Sequence, residues 1–139
     1  KGAELLEESI LKFANNIISA VPQSNKGITY AKKIFKEDEL IDWDRNANEI
    51  LNQIRALSPI PGAKCRIKEE NIKVIDAEMV INSENLANGI VIDNPIVVKC
   101  GENAIKINYL QRPGKKIISS KDVINGWNIY VGTKMEKIN

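Results

Sequence analysis

The sequence predicts a mainly β chain with helices (α+β), built on a five- to six-stranded, OB-like Greek-key barrel with flanking helices. Three observations carry that prediction. Five short segments between Ala63 and Leu110 either alternate apolar and polar residues or run β-branched. Turn-forming residues separate them: Glu69 to Asn71, Asn82 to Asn88, Asn94-Pro95 and Gly101 to Asn103. Amphipathic helical stretches precede and follow the run. Closing such strands into a barrel also removes sheet edges that would otherwise pair with other chains.

In chain order, "KGAELLEESILKFANNIISAV" opens with Leu6, Ile10, Phe13, Ala14, Ile17 and Val21 on one helical face. Glu4, Glu7 and Glu8 suit the start of the helix dipole, and Pro22 is expected to end the helix. Residues 22–40, "PQSNKGITYAKKIFKEDEL", read as a linker, with Ser, Asn, Gly and Pro first and mixed charge after. Ala47, Ile50, Leu51, Ile54 and Leu57 then line one face of a second helix. Asp44 could cap it, but Asn46 is better placed, because Glu49 three residues on completes a capping box. Trp43 precedes the cap and can fold back on the helix. Pro59 stops that helix and holds Ser58 out of helical geometry. Pro61 and Gly62 then turn the chain.

The strand candidates are "AKCRI", with Ala63, Cys65 and Ile67 inward, "IKVIDAEMVI", "GIVID", "PIVVKC" and "AIKINYL", with Ile105, Ile107 and Tyr109 inward. Pro113-Gly114 is a type II turn signal. Ser119 with Asp122 predicts another capping box, Val123, Ile124 and Trp127 a short apolar face, and Gly126 a C-cap. The tail from Asn128 is expected to add one extended piece.

Composition excludes several kinds of chemistry. The 139 residues contain no histidine, so no histidine-based acid, base or metal scheme can operate within them. Cys65 and Cys100 stand alone, without the close spacing of a metal site. They read as two buried thiols of a cytoplasmic protein, with a single disulfide as the alternative. There is no phosphate loop, nucleophile elbow or HExxH motif. No apolar run approaches a membrane span.

What remains is charge. Residues 1–62 carry 8 basic and 9 acidic side chains, residues 63–98 carry 4 and 6, and residues 99–139 carry 8 and 3. A net +2 therefore conceals a basic C-terminal third. Arg112, Lys115, Lys116 and Lys121 cluster around one tight turn. Lys26, Lys32, Lys33 and Lys36 are interleaved with Tyr30 and Phe35 in the linker. Two such arms suit a polyanionic backbone, and a folded RNA read by shape fits them well. A plain solvated linker is the competing reading, since Glu37, Asp38 and Glu39 offset the lysines locally.

Three stretches, "ITYAKKIFKEDELIDW", "IRALSPIPGA" and "LQRPGKKIISSKDVINGW", resemble, in order and spacing, the C-terminal portion of the methionyl-tRNA formyltransferases. The resemblance covers nearly the whole chain. It implies a family in which an N-terminal Rossmann-like domain, bearing catalytic Asn, His and Asp, transfers a formyl group from 10-formyltetrahydrofolate to methionyl initiator tRNA. The basic linker and OB-like barrel hold the tRNA. On that pattern, residues 1–21 are the terminal helix of the preceding catalytic domain, 22–40 the interdomain linker and 41–139 the tRNA-binding domain. Lys33 and Lys36 match the family's Tyr-Ala-x-Lys-x-x-Lys, and Lys115 and Lys116 match its basic pair. Arg112 is particular to this sequence, where small or neutral residues are usual, and Ile60 replaces a frequent Trp. The resemblance implies initiator tRNA and the chain's own N-terminal catalytic domain as partners, no membrane, a monomer in the cytoplasm, and no activity from this portion alone. Two alternatives stay open: the same fold in a formyltransferase of sugar nucleotides, and a barrel that docks a partner protein.

Overall fold

The computed structural model describes residues 1–138, and the chain divides into two compact units, Lys1–Lys33 and the remainder from Ile34. The first unit holds one helix, α1 (Gly2–Ala14), which buries no residue. It ends well before Pro22, the expected stop. Asn15 closes the last turn, its side-chain amide donating to the Leu11 carbonyl at 2.8 Å, and Asn16 turns left-handed at φ 57°. An asparagine tolerates that conformation, so the helix stops on local geometry ahead of the proline.

The second unit opens on a short 3-10 turn, Lys36–Glu39, inside the stretch read as linker. The Phe35 N–H donates to the Asp38 carboxylate at 2.8 Å and fixes its start. Helix α2 (Ala47–Leu57) follows as the spacing predicts. The Asn46 side chain accepts from the Asn48 and Glu49 N–H groups, and Glu49 accepts from the Asn46 N–H, so the capping box is complete. Ala47, Ile50, Leu51, Ile54 and Leu57 are all buried, against a seven-stranded antiparallel sheet. Trp43 is buried beside them. Ser58 takes the extended geometry that a following proline imposes, and Gly62 turns at φ 85°.

The strands are β1 (Ala63–Ile67), β2 (Glu70–Val80), β3 (Val91–Asp93), β4 (Val97–Lys99), β5 (Ala104–Gln111), β6 (Ile117–Ser119) and β7 (Met135–Glu136). Their spatial order is β3-β4-β5-β2-β1-β7, with β6 beside β5. The meander β3-β4-β5 brings β5 back against β2, a Greek-key crossing. The seam between β7 and β3 is closed by backbone bonds: Val91 N–H to Thr133 O at 2.9 Å, and Gly132 N–H to Val91 O and Met135 N–H to Gly89 O at 2.7 Å. The barrel is thus nearly closed and OB-like, with seven strands instead of five or six because β6 and β7 are separate short pieces. Cys65 and Cys100 are buried free thiols.

Tyr109 departs from its predicted inward position. The β2–β5 register shifts on both sides of Asp76, where Val74 faces Leu110, Asp76 faces Tyr109 and Ala77 faces Ile107. This irregularity turns Tyr109 outward, 48% exposed, and Leu110 inward, fully buried. Helix α3 (Ser120–Trp127) is capped by the Ser119 hydroxyl, which accepts from the Asp122 N–H at 3.2 Å. That hydroxyl also donates to the Asp122 carboxylate at 2.6 Å, so the carboxylate half of the expected box is spent on the serine side chain. The helix ends at Asn128, left-handed at φ 46°, not at Gly126, which lies within it.

Candidate nucleic-acid interface

The outward residues of β1 and β2 supply the first part of a basic surface. Alternation buries Ala63, Cys65 and Ile67 and leaves Lys64 facing out. The register sets Lys64 directly opposite Lys73 on β2. Like charges directly opposite in a sheet are destabilising. Part of that cost is removed by an ion pair between Lys64 and Glu39. Lys73 has no acidic partner among the described residues, and its stem lies over Gly62, where an added Cβ would meet Lys73 Cδ at 3.0 Å. Lys36, Lys64, Lys73 and Arg112 line one groove of about 510 Å³ beside the Pro113-Gly114 turn.

That turn is built as the sequence indicates. Gly114 takes φ 67°, and the Lys115 N–H closes on the Arg112 carbonyl at 3.1 Å. The Gln111 side-chain amide donates to the Lys115 carbonyl at 2.8 Å and braces it. Lys115 and Lys116 leave the turn to line a second groove, about 340 Å³, with Ile117, Ile118, Val123 and Trp127. Arg112 lines both grooves. Lys36, Lys115 and Lys116 make no ion pair among the described residues.

Arg112 is engaged on two sides. Its Nε donates to Glu70 at 2.9 Å and its Nη2 to the other Glu70 oxygen, a bidentate pair. Its guanidinium lies over the Trp127 ring, 4.2 Å from the centroid. The Arg112 hydrogen bond holds the Glu70 carboxyl below the usual range, and Glu70 in turn raises the guanidinium.

The residues singled out from the sequence divide into three groups. Lys36, Arg112, Lys115 and Lys116 meet along the two adjoining grooves. Lys121, at the start of α3, lines a separate cleft with Asp76, Lys106 and Tyr109. Lys32 and Lys33 are exposed and belong to the first unit. Sequence reading missed Lys64 and Lys73. The signal for Lys64 was present in the β1 alternation, but its meeting with Lys73 depends on the hairpin register. No helix among the described residues is long and apolar enough to cross a membrane. Among the same residues no cluster of ligating side chains could hold a metal ion.

Comparison with known proteins gives a consistent picture. The formyl transferase, C-terminal domain family matches residues 33–128. A methionyl-tRNA formyltransferase of Chelativorans sp. (strain BNC1) is 38% identical over 138 residues, which are 96% of this chain and 44% of the relative. That of Sulfurihydrogenibium sp. (strain YO3AOP1) is 36% identical over 140 residues, 98% of this chain and 45% of the relative. This chain therefore spans less than half the length of these relatives. Among solved structures, a HypX variant from Aquifex aeolicus superposes with a TM-score of 0.61 at 16% identity, over 94% of this chain and 24% of that one. HypX solved in complex with tetrahydrofolic acid gives 0.53 at 16% identity, over 87% and 22%. At those identities the likeness concerns the fold.

Proposed function

The chain belongs to the formyl transferase C-terminal domain family, and from that premise we propose that it is the RNA-holding part of a methionyl-tRNA formyltransferase. The parent enzyme would move a formyl group from 10-formyltetrahydrofolate to the amino group of methionyl initiator tRNA. The observation that carries the reading is the run of four lysines, Lys36, Lys73, Lys115 and Lys116, without acidic partners among the described residues along adjoining grooves. Cations left unpaired on one surface are suited to phosphates, which they neutralise with release of counterions. The relatives named for methionyl-tRNA supply the kind of RNA.

The chemistry belongs to the parent's other half. Attack of the amine on the formyl carbon needs a proton acceptor and a donor to the developing oxyanion. The buried thiols are poor candidates for either role, because burial raises Cys65 strongly and pushes Cys100 up to about 12. The 139 residues hold no histidine. This portion alone is therefore expected to bind and not to transfer. Helix α1, with Leu6, Ile10 and Phe13 near 60% exposed, presents an apolar face suited to a catalytic domain preceding it. In the same reading Lys32 and Lys33 belong to an interdomain linker that reaches the same RNA, and Lys121 makes an outlying contact.

The test is titration of the chain with initiator tRNA at low salt, with a sugar nucleotide as the comparison ligand. Micromolar or tighter tRNA binding, with none of the sugar nucleotide, is the expected result. Preference for the sugar nucleotide, or formyl transfer by this chain alone, would overturn the assignment.

A further inference from the structure

The two-sided engagement of Arg112 does not suit a phosphate clamp. Glu70 already takes two of its donors and offsets its charge, so a phosphate gains little there. The same contacts leave the guanidinium as a fixed plane. One face rests over Trp127, one edge is tied to Glu70, and the side chain remains 30% exposed between the two grooves. A fixed guanidinium plane is a platform for unstacked bases, as an aromatic ring is.

The second groove fits that use. Its floor is apolar, from Ile117, Ile118, Val123 and Trp127, and Ile117 and Ile118 are 48% and 36% exposed. Its rim carries Lys115 and Lys116, without acidic partners among the described residues. Asp122, the acid on its wall, is held by the Ser119 hydroxyl. At about 340 Å³ the groove falls at the small end of ligand-sized pockets, roughly 300–1,000 Å³. An apolar floor, a flat cationic wall and two rim cations match a single nucleotide, with its base inside and its flanking phosphates outside.

We propose that the second groove is a stacking site for one unpaired base of the bound RNA, seated against the guanidinium face of Arg112 turned away from Trp127, with Lys115 and Lys116 holding the phosphates on either side of it. This rests on the RNA-binding reading above and adds a contact that an uninterrupted duplex cannot make.

The test compares two strands of equal length and charge at one salt concentration, a short oligoadenylate and its abasic counterpart, binding the whole chain and its Arg112→Lys variant. A lysine keeps the charge and removes the plane. Stacking of one base is expected to favour the oligoadenylate by about 5- to 150-fold, with the gap closing to less than about twofold in Arg112→Lys. Trp127 emission should respond to the oligoadenylate and not to the abasic strand, and a Trp127→Phe variant should lose that response. Equal binding of both strands by the unaltered chain, with a normal salt dependence, overturns the base site and leaves the RNA reading standing. Binding of neither strand nor of tRNA at low salt overturns both. Should Arg112→Lys unfold, judged by its thermal transition, the strand comparison and the Trp127 response in the unaltered chain decide the matter.

Discussion

Removing one unpaired lysine from the barrel should change the salt dependence of RNA binding by a countable amount. Lys36, Lys73, Lys115 and Lys116 lie on adjoining grooves without acidic partners among the described residues, whereas Lys64 and Arg112 are offset by Glu39 and Glu70. At about −0.9 per neutralised phosphate, four contacts give a slope of log K against log salt of about −3.6. Raising salt from about 50 to 200 mM should then weaken tRNA binding by about 150-fold. On the proposed reading any RNA contact of Lys32 or Lys33 would add to that value, so the four lysines of the second unit set a floor. Lys36→Ala or Lys116→Ala should each bring the slope about one unit nearer zero and weaken binding to many RNAs alike. Glu70→Gln should do the reverse, freeing the Arg112 charge and steepening the slope by about one unit. Fluorescence anisotropy of labelled tRNA across a potassium chloride series measures all four proteins. A slope shallower than about −1 in the unaltered chain, or one that none of the three substitutions moves, would refute the reasoning.

Other outcomes follow from single contacts. Gly101→Ala places a Cβ 2.1 Å from the Asp44 carbonyl oxygen, beside the Gly101 N–H bonds to Trp43 and Arg45. Because the opposing atom is backbone, chemical denaturation should show a loss toward the upper end of about 1–3 kcal/mol. Asn46→Ala removes the acceptor for the Asn48 and Glu49 N–H groups and should cost about 1 kcal/mol in the same assay. The stabilising effect of the Glu70–Arg112 pair should be full above the ordinary glutamate value of 4.5 and should fade as pH falls through the lowered value. The stability difference between the unaltered chain and Glu70→Gln, followed from pH 7 downward, should narrow in that order. Cys65 and Cys100 should resist maleimide in the native protein and react only as it unfolds, because both are buried with raised thiol values.

Legibility from sequence tracked the range of the interaction concerned. Helix α2 was readable to the residue because its apolar period and its Asn46–Glu49 box lie within one short stretch. The outward lysine of β1 was likewise set by local alternation. Tyr109 was misplaced because the irregularity that turns it outward arises from pairing with a strand some thirty residues away. The neutralisation of Arg112 was invisible for the same reason, since Glu70 lies 42 positions earlier. Sequence showed four cations around a turn. It could not show that one is spoken for, that Lys121 opens onto a different cleft, or that Lys64 and Lys73 face each other from neighbouring strands.

The closed seam has a bearing on biosynthesis. Residues 132–136 join β1 on one side and the Gly89–Val91 stretch on the other, and they are made after every other strand. Until they leave the ribosome, the nascent sheet carries two raw borders. A pause in translation upstream of Gly132 would hold the sheet in that state, with open strand edges available to neighbouring nascent chains.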